Sequence, residues 1–244
     1  STDTLSQTTN LYGQFLDTAG APLLTNVDEN FVITMPGEQH AARDPDVAYD
    51  AASRSFLAVW QDNRLDARWD IYGRRVAGDT GTLLPMEYPI AATDHFEQAP
   101  RLAAGPAGHY LVVWQDTSPG ADGAPDVLGR MINASGQPQG TPISIAATAG
   151  YYEGAPDVAY NTQSWSFLVA WHGAPQGGAG FAPDIYARQL HSNGSPTMDV
   201  LPITVDADSS RRWPVIVSRE GRREWLLAWE DGRADPAGAA RTGV

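Results

Sequence analysis

One short motif is written four times in this chain: "FLAVWQD" at 56–62, "YLVVWQD" at 110–116, "FLVAWHG" at 167–173 and "WLLAWED" at 225–231. The tryptophans inside it, Trp60, Trp114, Trp171 and Trp229, lie 54, 57 and 58 residues apart. A period of this size means that one supersecondary unit is repeated and that neighbouring units bury each other's apolar faces. Whatever else the chain does, it must fold as an array.

The surroundings of each tryptophan define the unit. A segment opened by proline precedes it: "PDVAYD" (45–50), "PRLAAG" (100–105), "PDVAYN" (156–161) and "PVIVSR" (214–219). A tight turn separates the two segments, so each pair reads as a β-hairpin. A polar, Gly- and Pro-containing loop follows, and then a third strand, "DIYGRRV" (70–76), "DVLGRMI" (126–132) or "DIYARQL" (184–190). Turns rich in Gly, Asn and Asp lead to a fourth strand: "YPIAAT" (88–93), "TPISIAAT" (141–148) or "LPITVDA" (201–207). Four short strands per unit are the pattern of a propeller blade.

The expected fold is therefore all-β, a four-bladed β-propeller of four-stranded antiparallel blades in one domain. Residues 45–93, 100–148 and 156–207 form complete blades. "NLYGQFL" (10–16) and "FVIT" (31–34) match only third and fourth strands, while 214–231 supplies only first and second ones. The expected closing blade is thus shared by 10–34 and 214–231. A larger propeller, or a ring completed by another chain, is the alternative. In each hairpin, alternation puts Phe56, Ala58 and Trp60 on one face and Leu57 and Val59 on the other, for packing between adjacent blades.

The chain has 244 residues, no cysteine and no lysine; all 16 basic residues are arginine. Thiol, Schiff-base and phosphate-loop lysine chemistry are excluded. A net charge of −13 argues against a nucleic-acid partner, whose phosphates need a basic surface. No apolar run reaches the roughly 18–20 residues of a membrane span, so membrane insertion is not expected. "STDTLSQTTN" is polar from its first residue and fits the trimmed start of a mature chain.

The pattern "W-[QE]-D … D-I-Y-x-R" resembles repeats of secreted bacterial β-propeller-like proteins over residues 10–231. One aromatic, one acid and one arginine per blade give a looser resemblance to lectin-type propellers. The turns "YDAASRSF", "AGPAGHYL", "YNTQSWSF" and "SREGRREW" do not match the Ser, Asp, Gly and Trp box of sialidase-type propellers.

Two sets of residues are candidates for function. The first repeats: Trp60, Trp114, Trp171 and Trp229, the acids Asp62, Asp116 and Asp231 after tryptophan, the acids Asp70, Asp126 and Asp184 that open the third strands, and the arginines Arg74, Arg130 and Arg188. Aromatic faces stack on sugar rings while carboxylates and guanidinium groups bond hydroxyls, so this set points to glycan binding. The competing structural reading is that acid and arginine tie neighbouring strands together. The second set varies between blades and lies in the loops joining them: His40, His95, Tyr151 and Ser209 at one position, Glu97, Glu153 and Arg211 at another. Loops that escape packing constraints commonly carry function.

The leading expectation is an extracellular binding module, lectin-like or adhesive, that recognises a glycan or a protein surface and needs no cofactor. A glycan-active hydrolase or lyase with one rim site, built from His40, His95, Glu97 and Glu153, is the alternative; a structural assembly module is another. Further rim carboxylates for glycoside cleavage are Asp206 and Asp208. A zinc-like ion could be held by His40 and His95 with Glu97 or Glu153, and calcium is considered at "DNRLD" (62–66) and "DADSS" (206–210), although neither has the spacing of a calcium-binding loop. The long "GAPQGGAGFAP" (173–183) could cover a ligand with Phe181. "NAS" (133–135) and "NGS" (193–195) are glycosylation sequons placed where turns require Asn and Gly.

Overall fold

The computed structural model of the chain describes residues 9–23, 30–35, 41–65, 68–78, 82–118, 123–176, 182–205 and 209–232. The expected positions His40, Phe181, Asp206 and Asp208 lie outside them. The fold is all-β, with one short 3₁₀ turn at Pro106–Gly108. No helix among the described residues is long and apolar enough to cross a membrane.

Three antiparallel sheets of four strands follow one another along the chain. The first contains β3 (Ala42–Asp50), β4 (Ser55–Asp62), β5 (Asp70–Ala77) and β6 (Leu83–Ala91) in that order. The second contains β7 (Phe96–Ala104), β8 (Tyr110–Thr117), β9 (Pro125–Ile132) and β10 (Ile143–Ala146). The third contains β11 (Tyr151–Asn161), β12 (Ser166–Pro175), β13 (Asp184–His191) and β14 (Leu201–Pro202). These are blades one to three. A two-stranded sheet precedes them, β1 (Tyr12–Gly13) with β2 (Phe31–Val32), and another follows, β15 (Arg211–Ser218) with β16 (Trp225–Asp231). The two terminal hairpins are separate sheets.

Blade-to-blade packing makes the core. Leu57 and Val59 of β4 meet Leu102, Tyr110, Val112 and Trp114 of the next blade. Leu111 and Val113 meet Phe167, Val169 and Trp171 in the same way. Trp60, Trp114 and Trp171 have no exposed surface. Within the third strands, Gly73 and Gly129 leave room for the fourth: a Cβ there would stand 2.8 and 2.7 Å from Ile90 and Ile145 Cδ1.

The innermost strands begin earlier than the prolines suggest. Each carries a bulge before Pro45, Pro100, Pro156 and Pro214, where Asp44, Ala99, Ala155 and Trp213 adopt φ of 50, 52, 47 and 50°. The extra residue lets the strand run past a proline that cannot donate to the ladder. As a result Glu97, Glu153 and Arg211 stand in strands and point inward, not in open loops as the sequence suggests.

The same bulge joins the blades. The N–H of Ala99 donates to Gln61 Oε1 (2.9 Å), that of Ala155 to Gln115 Oε1 (3.3 Å) and that of Trp213 to His172 Nδ1 (3.4 Å). Immediately after the prolines, Asp46 and Asp157 accept from the N–H of Leu102 and Ile216 at 2.9 and 2.7 Å.

Candidate functional site

Several of the repeated residues make bonds within the fold. Trp60 donates Nε1–H to Asp62 at 3.1 Å, and Asp62 also receives Arg64. The arginines reach across to the preceding blade rather than to an aspartate of their own, although Arg74 also lies 3.8 Å from Glu87 within its blade. Arg74, Arg130 and Arg188 donate to the carbonyls of Ile33 (2.8 Å), Ile90 (2.8 Å) and Ile145 (3.0 Å). Asp231 holds Arg211 at 3.2 Å, and Trp229 is half-buried in the terminal hairpin. Asn133 and Asn193 cap their own turns through Ser135 and Ser195 N–H, as turn chemistry requires.

The loop positions that vary between blades are brought to the ends of the strands. Four versions of one site result. In blade one Ala42 is opposite Asp62. In blade three Glu153 accepts Thr148 N–H (3.0 Å) on one oxygen and Thr148 Oγ1–H (2.9 Å) on the other, so both oxygens are satisfied. Burial raises its pKa. Tyr151 is half-buried beside it at the start of β11. In the last hairpin Arg211 is bound by Asp184 (2.7 Å) and Asp231.

The version between blades one and two is different in kind. Glu97 is opposite Asp116 across β7 and β8, and its N–H donates to Trp69 O, 2.8 Å away on the approach to Asp70. Its side chain is wholly buried. Oε1 receives Thr93 Oγ1–H at 2.5 Å, while Oε2 has no hydrogen-bond partner among the described residues. Burial pushes the carboxyl up to about 7; the Thr93 bond opposes this, and the negative charges of Asp116 and Asp70 reinforce it. The carboxyl therefore holds its proton to a pH well above the usual carboxylate range. Above it, His95 Nδ1 lies 2.6 Å from Asp116 Oδ1, and about a third of the imidazole is open to solvent. Arg43 sits over the ring of the nearby Trp69 at 5.4 Å.

This is an imidazole oriented by a carboxylate, with a second carboxyl that can carry a proton beneath it. Such a group can accept or donate a proton at Nε2. His95, Asp116 and Glu97 were all visible as candidates in the sequence. Asp70 was read only as one of the repeated acids, and Thr93 and Trp69 were not assigned to a site, although "AAT" precedes both Glu97 and Glu153 in the sequence. No group of three or more His, Asp and Glu suited to a metal ion occurs among the described residues; Asp66 of one calcium loop and Asp206 and Asp208 of the other lie outside them.

No family model and no curated sequence matches the chain, so the repeat pattern itself points to no family. Solved structures do share the fold. The chain is similar to the GH93 α-L-arabinofuranosidase of Fusarium graminearum in complex with arabinobiose (11% identity, TM-score 0.57, 82% of this chain and 63% of that one). It is similar to an α-L-arabinofuranosidase from Lactobacillus brevis (9%, 0.53, 85% and 74%) and to the PL25 ulvan lyase (10%, 0.55, 87% and 56%). The chain thus spans under two thirds of two of these three proteins. At such identity the likeness establishes the propeller fold. The leading expectation of a binding module is corrected at this point: the similar solved structures named above are glycan-cleaving enzymes.

Proposed function

We propose that the chain is the propeller of a glycan-active enzyme, a hydrolase or lyase, whose single site lies between blades one and two. The observation that carries this reading is the His95–Asp116 pair standing over Glu97 at one junction out of four. A binding repeat would present the same surface on every blade. A reaction needs one asymmetric cluster in which neighbouring carboxyl groups differ in protonation.

In this reading His95 Nε2 exchanges the proton with the sugar. As base it activates water or takes a ring proton; as acid it protonates the leaving oxygen. Asp116 fixes the ring through Nδ1 and stabilises the imidazolium. Glu97, too deep to touch the sugar, acts through Asp116: its protonated form limits the negative charge packed under the imidazole. Trp69 with Arg43 supplies an aromatic face and a cation next to the site, suited to a sugar ring and its hydroxyl or acidic groups.

The test is turnover of arabinan, arabinoxylan and uronate-containing polysaccharides, scored by new reducing ends and by unsaturated products. His95→Gln should abolish the activity while the fold persists. Absence of turnover on all substrates, or an unchanged rate in that variant, would remove the proposal.

A further inference from the structure

Every junction between complete blades is filled from both sides. At the first, Leu57 is fully buried and Leu102 is 6% exposed. The opposite face of blade one carries the corresponding residues: Val47 for Leu102, Phe56 for Tyr110, Ala58 for Val112. The β1–β2 hairpin covers the outer half of this face, where Leu11 and Ile33 pack on Trp60 and Tyr72. The inner half is open. Val47 is 59% exposed, and Phe15, Phe31, Val47, Phe56, Ala58 and Val76 line a groove of about 500 Å³.

The far end of the chain carries the side chains that would fill such a groove. Leu226 and Val217 occupy the positions of Leu57 and Ala48 in the repeat, yet they are 68% and 58% exposed. The outer edge of β16 has no strand beside it among the described residues, although β4, β8 and β12 each pair with a third strand. The inner edge of the N-terminal hairpin, β1, is equally unpaired.

The hairpin is held on blade three and does not pair with β1 of its own chain. It is fixed to blade three by Trp213 N–H on His172, Ile216 N–H on Asp157, and Asn161 Nδ2–H on the carbonyls of Arg222 (2.7 Å) and Glu224 (3.3 Å). The first two bonds are those that join the blades elsewhere. A chain that bears two complementary surfaces, neither of them filled by a described residue, is built to associate head to tail.

We infer that the groove beside Val47 receives the β15–β16 hairpin of a second copy of this chain. β16 then pairs with β1 in the register that β4 adopts with β5, where Trp60 is opposite Tyr72 and Leu57 opposite Arg75. Trp229 falls opposite Tyr12, and Leu226 opposite Phe15. The continuing interface is the one already repeated between blades. This inference is independent of any catalytic role for His95.

The experiment is sedimentation of the purified chain over a wide concentration range, with Leu226→Asp and Val47→Asp as variants. Both side chains are exposed, so both variants should fold. The parent should associate with rising concentration, each variant should stay monomeric, and an equimolar mixture of the two should recover a dimer. In that mixture the intact hairpin of one variant meets the intact groove of the other. A parent that stays monomeric throughout overturns the inference; slow amide exchange along β16 in such a monomer would show the groove filled from within its own chain. Association that survives both substitutions also overturns it.

Discussion

The Nδ1 of His172 accepts the backbone N–H of Trp213, the bond that Gln61 and Gln115 make to Ala99 and Ala155 at the other two junctions. A histidine thus does a glutamine's work. To accept at Nδ1 the ring must be neutral, with its proton on Nε2. Burial, helped by the nearby Arg212, lowers its pKa to about 4.

This makes the last junction acid-sensitive. Between about 4 and the ordinary 6.5 the unfolded chain binds a proton that the folded one does not, so stability falls as pH falls through that window. The full loss is at most about 3 kcal/mol. His172→Gln keeps an acceptor and should remove most of the slope. Urea titrations of both proteins at pH 4 and pH 7 measure the difference.

Glu97 has the opposite sign. Its folded pKa of about 7 lies above the ordinary 4.5, so between those values the folded chain holds the extra proton and stability falls as pH rises. Glu97→Gln should therefore be more stable than the parent at pH 8, by up to about 3 kcal/mol, and nearly equal at pH 4. Thermal unfolding at the two pH values decides it. If Glu97 acts through Asp116, the same variant should shift the pH profile of turnover rather than abolish it.

Arg130 links two blades through carbonyls: Ile90 O at 2.8 Å and Gly140 O at 2.6 Å. Arg130→Ala should cost about 2–3 kcal/mol, because charge-assisted bonds are lost and a carbonyl in the junction is left without its donor. Lysine should not restore the loss, since one ammonium cannot reproduce the forked contact to two carbonyls. Denaturant midpoints for the two variants test both statements.

Leu57 and Leu226 occupy one position in the repeat, but only the first is enclosed. Leu57→Ala should destabilise by about 3 kcal/mol, the usual cost of a cavity in a core. Leu226→Ala, measured at concentrations where the chain is monomeric, should cost under about 0.5 kcal/mol. Equal effects would mean that the terminal hairpin is packed as tightly as blade one.

The sequence was most legible where apolar alternation ran uninterrupted. The third strands expected at 70–76, 126–132 and 184–190 match Asp70–Ala77, Pro125–Ile132 and Asp184–His191. The innermost strands were read too short. Proline looks like a beginning, and nothing in the residue string announces a bulge with positive φ at Asp44 or Ala99. Glu97 and Glu153 were consequently read as rim groups when the strand carries them inward. His95 and Glu97 were readable as candidates because they break the repeat. Their contact with Asp116 and Thr93 was not, because it depends on strand register. The arginines misled for a similar reason: Arg130 and Asp126 share a blade, yet the guanidinium turns to its neighbour.

The joint between blades lies at a fixed point in every unit, between the residue after a tryptophan and the residue before a proline. Excising residues 100–155 would leave Ala99 followed by Pro156, with Gln61 still facing the same N–H and Asp46 still facing an acceptable partner strand. Lengthening or shortening the array by whole units therefore requires no new core. Copy number is free to drift by unequal recombination, and the size of such a chain becomes a matter of its genetic history more than of any single contact.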